Sequence, residues 1–128
     1  MDTSPVSQRC VYIIEPQGLL LEPLMNLFAS LDIPVGHVSA DIDESYLRRH
    51  HPSLIFLDSD YLSDGLLDGL RRIGEASERS RVVVFCARWS QTESLVQTTP
   101  RVEVVIPKNS RTQTMRLLLS QAYAKTQG

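Results

Sequence analysis

The chain has 128 residues, of which 42% are hydrophobic and 22% charged, and its formal net charge at pH 7 is −2. These values are typical of one globular domain with a single core. With so small a net charge and no apolar run near the roughly 20 residues of a membrane span, the sequence argues against direct nucleic-acid binding and against a membrane protein.

The first nine residues are mostly polar and contain no apolar segment of the kind found in secretory signals. We interpret residues 1–9 as a flexible lead and residues 10–126 as the folded domain. Cys10 and Cys86 lack the spacing of metal ligands. Isolated thiols of this kind favour a reducing environment and a cytoplasmic location.

The first half of the chain predicts two strand–helix units. Residues 10–15 form a short apolar, β-branched run that ends in Glu15 and is broken by a Pro-Gln-Gly sequence. A helix follows, with apolar residues at helical spacing: Leu20, Leu24, Leu27, Phe28 and Leu31. Pro23 is tolerated best near a helix start, so we expect an irregular or late first turn. Residues 34–40 alternate weakly, which predicts a less buried strand, and a short helix follows through Tyr46 and Leu47.

The middle of the chain contains the apolar segment Leu54-Ile55-Phe56-Leu57, which ends abruptly at Asp58. Such a continuous run is typical of a strand buried on both faces of a parallel sheet. The next helix has Leu66, Leu70 and Ile73 at helical spacing.

The last third of the chain predicts two further units. Residues 81–87 give the strongest strand signal. Residues 90–93 have capping-box spacing, which predicts that Ser90 begins a short helix ending before Pro100. Residues 102–106 predict the fifth strand. The final helix is marked by apolar residues on one face, namely Met115, Leu118, Leu119 and Ala122.

Strand and helix therefore alternate five times. Alternating βα units predict a parallel sheet with helices on both faces. The expected fold class is α/β, a doubly wound five-stranded parallel sheet of the flavodoxin-like (βα)5 type.

Three charged residues follow strands of this predicted sheet: Glu15 after the first, Asp58 after the third and Lys108 after the fifth. Parallel strands end at one edge of the sheet, where open α/β sheets bind ligands. Carboxylates can hold Mg²⁺, a further carboxylate can act as a nucleophile, and lysine provides a positive charge for a phosphoryl oxygen. The pattern predicts a phosphoryl-transfer site.

With these residues, the chain resembles the receiver domain of two-component response regulators from Cys10 to about Tyr123. The resemblance rests on the five βα units, the acids after strands one and three, and the Ile106-Pro107-Lys108 segment. It implies that Asp58 is the phosphoacceptor, Glu15 and Asp58 are Mg²⁺ ligands, and Lys108 contacts the phosphoryl group.

The chain departs from the receiver pattern at four places. Pro16 stands where a second acid is usual, and Cys86 stands where a Ser or Thr hydroxyl is usual. The loop at residues 61–63 lacks a Met-Pro pair and is one residue short, and Val105 replaces a frequent aromatic residue. Metal binding and signal read-out are therefore expected to be weakened. We hypothesise that Asp60 compensates by supplying a third carboxylate to the metal.

Three functions stay open from the sequence. The first is a phosphorelay receiver that takes a phosphoryl group from a histidine kinase or phosphotransfer protein and signals to a downstream protein partner, with a homodimer left open. Its only chemistry would be self-phosphorylation and autodephosphorylation at Asp58. The second is a pseudo-receiver, an interaction module that is not phosphorylated. The third is an unrelated doubly wound protein, although the single glycine after the first strand disfavours nucleotide or flavin binding.

Simpler roles exist for several of these residues. Asp58 could cap a turn at a strand end. Cys86 could be a small buried side chain. Trp89 could cover the sheet edge or anchor a partner. His50 and His51 could close a helix rather than bind a metal.

Overall fold

The computed structural model describes residues 9–62, 64–96 and 99–127. Five strands alternate with five helices. The strands are β1 (Val11–Ile14), β2 (Val35–Ser39), β3 (Leu54–Asp58), β4 (Arg81–Cys86) and β5 (Val102–Pro107). The helices are α1 (Gly18–Ser30), α2 (Glu44–His50), α3 (Leu66–Ala76), α4 (Trp89–Val96) and α5 (Thr112–Gln127). All of the proposed flexible lead except Arg9 lies outside the described residues, as does Ser63 of the loop after β3.

The strands form one sheet in the order β2-β1-β3-β4-β5, and every neighbouring pair is parallel. The predicted doubly wound α/β fold is thereby confirmed. Because β1 lies between β2 and β3, the order reverses there, and the chain leaves β1 and β3 toward opposite faces. A crevice at the carboxyl ends of these strands is the usual ligand site of such sheets.

The buried strands place alternate side chains on the two faces of the sheet. On one face, the strand residues pack with α1 and α5: Val11, Ile13, Leu54, Phe56, Val83, Phe85 and Ile106 against Leu24, Phe28, Leu119 and Ala122. On the other face, the strand residues pack chiefly with α2 and α3: Tyr12, Ile14, Ile55, Leu57, Val82, Val84 and Cys86 against Tyr46, Leu47, Leu70 and Ile73. Burial on both faces explains why the central strands are continuously apolar in sequence.

The expected irregular start of the first helix is not observed. Helix α1 begins at Gly18 and contains Pro23 inside it. Pro23 lies on the exposed side of the helix. There, water can bond to the carbonyl that has lost its helical donor, which lowers the cost of an internal proline.

The predicted start of α4 was also wrong. The helix begins at Trp89, so Ser90 lies within it, and the amide of Thr92 donates to the carbonyl of Arg88 at 3.1 Å. The connection from β4 has only residues 87 and 88, so the turn into the helix is complete before Ser90 could cap it. The described part of the helix runs to Val96, and Thr99 and Pro100 lie outside it, so the helix stops before Pro100 as expected.

Replacing Gly36 with alanine tests how tightly β2 packs. A Cβ atom at Gly36 would lie 2.7 Å from Cβ of Cys10 and 3.2 Å from the hydroxyl of Tyr46. We expect Gly36→Ala to lower the free energy of unfolding by about 1–3 kcal/mol, measured by urea denaturation, because overpacking strains the core. Gly18→Ala is the matched control, since a Cβ there meets no atom within 4 Å. Equal stabilities of the two variants would contradict this description of β2.

Candidate functional site

The carboxyl edge of the sheet brings the predicted site residues together. The amide of Glu15 donates to the carbonyl of Ser39 at 2.9 Å, and the amide of Lys108 donates to the carbonyl of Cys86 at 2.8 Å. These bonds continue the strand ladders one residue beyond β1 and β5. Asp58 is the last residue of β3. The backbone therefore fixes the starting points of all three charged side chains at one edge.

Asp58 is fully buried at this edge. Its Oδ1 atom accepts a hydrogen bond from the amide of Asp60 at 3.1 Å, so the residue does cap the turn after β3. Its Oδ2 atom lies 2.8 Å from Nζ of Lys108. Apart from this ion pair, Oδ2 accepts no hydrogen bond from the described residues, which leaves it with unused acceptor capacity. Asp58 thus combines the simple turn role with a place in a charged pocket.

Lys108 is the positive centre of the pocket. Its Nζ atom lies 2.8 Å from Oδ2 of Asp58 and also 2.8 Å from Oδ2 of Asp60. The rings of Tyr61 and Phe85 are 5.2 and 5.5 Å away, within the range of cation–π contacts. Burial lowers the pKa of Lys108, but the contacts with the two carboxylates raise it more, so the net shift is upward and the side chain stays charged.

Asp60 turns inward, toward Lys108 and the connection after β4. Besides the ion pair, its Oδ1 and Oδ2 atoms accept from the backbone amide of Ala87 at 3.2 and 3.0 Å. Over the part of the chain that the structure describes, no group of three or more His, Cys, Asp or Glu side chains is arranged to hold a metal ion. The role of Asp60 as a third metal ligand stays a prediction.

Glu15 faces Asp58 across the crevice and is buried. Its Oε2 atom accepts from the amide of Gln17 at 3.0 Å, whereas Oε1 has no hydrogen-bond partner. Burial, followed by the proximity and charge of the Asp58 carboxylate, raises the pKa of Glu15 to about 7. Near neutral pH, Glu15 can therefore hold a proton beside Asp58, or release it when a cation compensates the charge.

The donor set of Glu15 and Asp58 fits a magnesium ion, although sparsely. Oε1 of Glu15 has no hydrogen-bond partner, and Oδ2 of Asp58 has only its ion pair with Lys108. Both atoms are buried, and a divalent cation would use their remaining acceptor capacity. Mg²⁺ is commonly bound by one or two carboxylates, with waters and phosphate oxygens completing the octahedron. Since Pro16 supplies no oxygen ligand from its side chain, a third carboxylate is missing next to Glu15.

Two residues that cover the pocket, Gln17 and Tyr61, were not predicted from the sequence. Gln17, in the loop after β1, donates through Nε2 to the hydroxyl of Tyr61, in the loop after β3. The Tyr61 ring lies over Lys108, while more than half of its surface stays exposed. Only its position three residues after Asp58 could have suggested Tyr61 as a site residue.

Cys86 ends β4 and is fully buried. Burial raises the pKa of its thiol more than a hydrogen bond with Thr92 lowers it. The side chain is thus a neutral thiol and a weak hydrogen-bond donor. This environment agrees with the simple interpretation of a small buried side chain.

Trp89 lies against the outer edge of β5. Its Nε1 atom donates to the carbonyl of Val105 at 3.2 Å, and 41% of the residue is exposed. The side chain covers part of the edge strand, as one of its two interpretations expects.

His51 is the C-cap residue that follows α2, and its backbone is in the left-handed conformation, with φ of 44°. Its Nδ1 atom lies 3.2 Å from the Ser77 hydroxyl. Together with His50, the last residue of α2, it occupies the helix terminus where the sequence placed it.

Comparison with known proteins gives matches in structure but not in sequence. No family model and no curated protein matches the chain. A CheY-like response regulator receiver domain protein from Methanospirillum hungatei JF-1 is 9% identical, with a TM-score of 0.75 over 93% of this chain and 96% of that one. The REC domain of AraT, a response regulator from Geobacillus stearothermophilus, is 14% identical, with a TM-score of 0.75 over 94% and 96%.

A third similar structure is a complex that contains beryllofluoride and magnesium. It is the CheX-CheY-BeF3-Mg²⁺ complex from Borrelia burgdorferi, which is 16% identical with a TM-score of 0.76 over 88% of this chain and 87% of that one. These similarities show that the chain has the fold of response regulator receiver domains, as its sequence predicts. Among the described residues, no helix is long and apolar enough to cross a membrane.

Proposed function

We propose that this chain is a receiver domain in two-component signalling, with Asp58 as its phosphoacceptor. The observation that carries the proposal is the position of Asp58, buried at the carboxyl end of β3 with Nζ of Lys108 2.8 Å from its Oδ2 atom. A buried carboxylate beside a fixed ammonium group is suited to nucleophilic transfer chemistry, because the cation stabilises charge on the entering phosphoryl oxygens.

The transfer begins when a carboxylate oxygen of Asp58 attacks the phosphorus of a phosphohistidine donor. A P–O bond to Asp58 forms and the P–N bond breaks. The electron pair of that bond stays on the histidine nitrogen, which takes up a proton. Lys108 compensates part of the charge that the phosphoryl group brings into the pocket. Hydrolysis by attack of water on the same phosphorus would regenerate the free carboxylate.

Glu15 and Asp58 would hold a Mg²⁺ ion, with Asp60 as a further candidate ligand. The ion would screen repulsion between the carboxylates and the incoming phosphoryl group. The two buried carboxylate oxygens without a hydrogen-bond partner, Oε1 of Glu15 and Oδ2 of Asp58, support this assignment. With Pro16 in place of an acid, we expect weak binding.

The partners that follow from this function are a histidine kinase or phosphotransfer protein as donor and a downstream protein as receiver of the signal, in the cytoplasm. Phosphorylation would act by shifting the population of conformations at the β4–α4 connection. The surface of β4, α4 and β5, next to the phosphoryl-binding pocket, is the proposed place of read-out.

A pseudo-receiver is the second candidate, favoured by the Asp60 carboxylate, which already contacts Nζ of Lys108 and the amide of Ala87. Binding of beryllofluoride, a phosphoryl mimic that binds aspartate carboxylates with Mg²⁺, distinguishes a working receiver from a pseudo-receiver. A working receiver is expected to bind it, with a change in Trp89 fluorescence, whereas Asp58→Ala is not. If the wild-type protein gives no Mg²⁺-dependent response to beryllofluoride by fluorescence or NMR, the pseudo-receiver is the better description.

A further inference from the structure

The strongest unexplained feature of the pocket is the pair of donors that the Asp60 carboxylate occupies. These donors are Nζ of Lys108, at the end of β5, and the backbone N–H of Ala87, just after β4. Both reach the same oxygen, Oδ2, at 2.8 and 3.0 Å. Two donors from neighbouring strands that converge on one anionic oxygen form an oxyanion site.

This site lies directly beside the acceptor carboxylate. Nζ of Lys108 is at the same 2.8 Å distance from Oδ2 of Asp58 as from Oδ2 of Asp60. A phosphoryl group bonded to Asp58 would therefore carry its oxygens into the reach of Lys108. The donors that such a group needs are the ones that Asp60 already uses.

We propose that Asp60 is an internal anion that occupies a phosphoryl-oxygen position between Lys108 and Ala87. This inference rests on the proposed function and deepens it by assigning the regulation of the site. Asp60 competes with the phosphoryl group, so that phosphorylation of Asp58 requires the Asp60 side chain to leave. Like-charge repulsion opposes the presence of both anions.

The same contact also sets the state of the β4–α4 connection. Ala87 lies between β4 and Trp89, the first residue of α4, and its amide is held by Asp60 before any phosphoryl transfer takes place. The Ala87 amide in this connection is therefore already bound to an anion, the Asp60 carboxylate, before a phosphoryl group is present. Phosphorylation replaces one anion by another there, so the population shift at the connection is smaller than it would be if the Ala87 amide were free beforehand.

The test compares wild-type protein with Asp60→Asn and Asp60→Ala. The first variant keeps the shape and removes the charge, and the second removes the side chain. Asp64→Asn, an exposed acid in the same loop, is the matched control. Two quantities are measured: hydrogen exchange of the Ala87 amide without any ligand, and the affinity for beryllofluoride at a Mg²⁺ concentration that saturates each protein.

We expect Asp60→Ala to speed hydrogen exchange of the Ala87 amide about tenfold or more, because the amide loses its acceptor. We expect both Asp60 variants to bind beryllofluoride about tenfold more tightly than wild type, because a charge-assisted contact that competes with the ligand is lost. The control variant should change neither quantity.

Equal beryllofluoride affinity in wild type and Asp60→Asn would overturn the inference while leaving the receiver function intact. Unchanged exchange at Ala87 in Asp60→Ala would overturn it as well, since Asp60 would then not hold the connection. If neither wild type nor variants bind beryllofluoride although Ala87 exchange rises, the proposed function fails and the competition fails with it.

Discussion

Replacing Lys108 with methionine is expected to lower the free energy of unfolding by about 3 kcal/mol near pH 8. Asp58 is fully buried, and Nζ of Lys108 is the cation that lies 2.8 Å from its Oδ2 atom. Methionine preserves much of the side-chain volume but leaves the carboxylates of Asp58 and Asp60 facing each other without that charge. Removing one partner of a buried ion pair is costly because the remaining charge stays desolvated.

The measurement is urea denaturation in the presence of a chelator, with Lys125→Met as the control at an exposed lysine of α5. The double variant Lys108→Met with Asp58→Asn should recover much of the loss, because it removes both partners of the pair. If Lys108→Met is as stable as Lys125→Met near pH 8, the pocket does not depend on its lysine for charge balance.

Because of Glu15 alone, the free energy of unfolding of the wild-type protein is expected to fall by about 2.5 kcal/mol as the pH rises from about 4.5 to about 7. Burial first, and then Asp58, raise the pKa of Glu15 from 4.5 to about 7 in the folded protein. Between these values the folded state binds more protons than the unfolded state. The contribution of Glu15 is therefore fully present below pH about 4.5 and is lost as the pH rises through about 7.

Glu15→Gln tests this dependence, since glutamine fits the same space and does not titrate. Its free energy of unfolding, measured without metal over that pH range, should decline less steeply than that of wild type. Glu22→Gln, at an exposed position of α1, is the control and should leave the slope unchanged. A slope in Glu15→Gln equal to that of wild type would show that Glu15 does not carry the effect.

The fold could be predicted from sequence because its signals are local and mutually consistent. The continuous apolar run before Asp58 indicates burial on both faces, which a parallel sheet covered by helices provides. Two predictions failed because the outcome depends on tertiary structure. Pro23 is tolerated inside α1 because it faces solvent. The short connection after β4 makes α4 begin before Ser90. Neither setting is visible in a local pattern.

Only the site residues that directly follow strands could be predicted from the sequence. Glu15, Asp58 and Lys108 follow strands, and parallel strands end at one edge, so their proximity follows from topology. The direction of the Asp60 side chain does not follow, because it depends on a rotamer. The contact of Ala87 could not be predicted either, because it is made by the backbone amide and does not depend on the type of side chain.

Intact-mass spectrometry tests most directly whether Asp58 accepts a phosphoryl group. Wild-type protein and Asp58→Asn are incubated with Mg²⁺ and a small acyl-phosphate donor such as acetyl phosphate, from which acetate leaves with the electron pair of the broken P–O bond. We expect one phosphoryl adduct on wild type and none on the variant. An unmodified wild type, or an adduct that persists in Asp58→Asn, would contradict the assignment of Asp58.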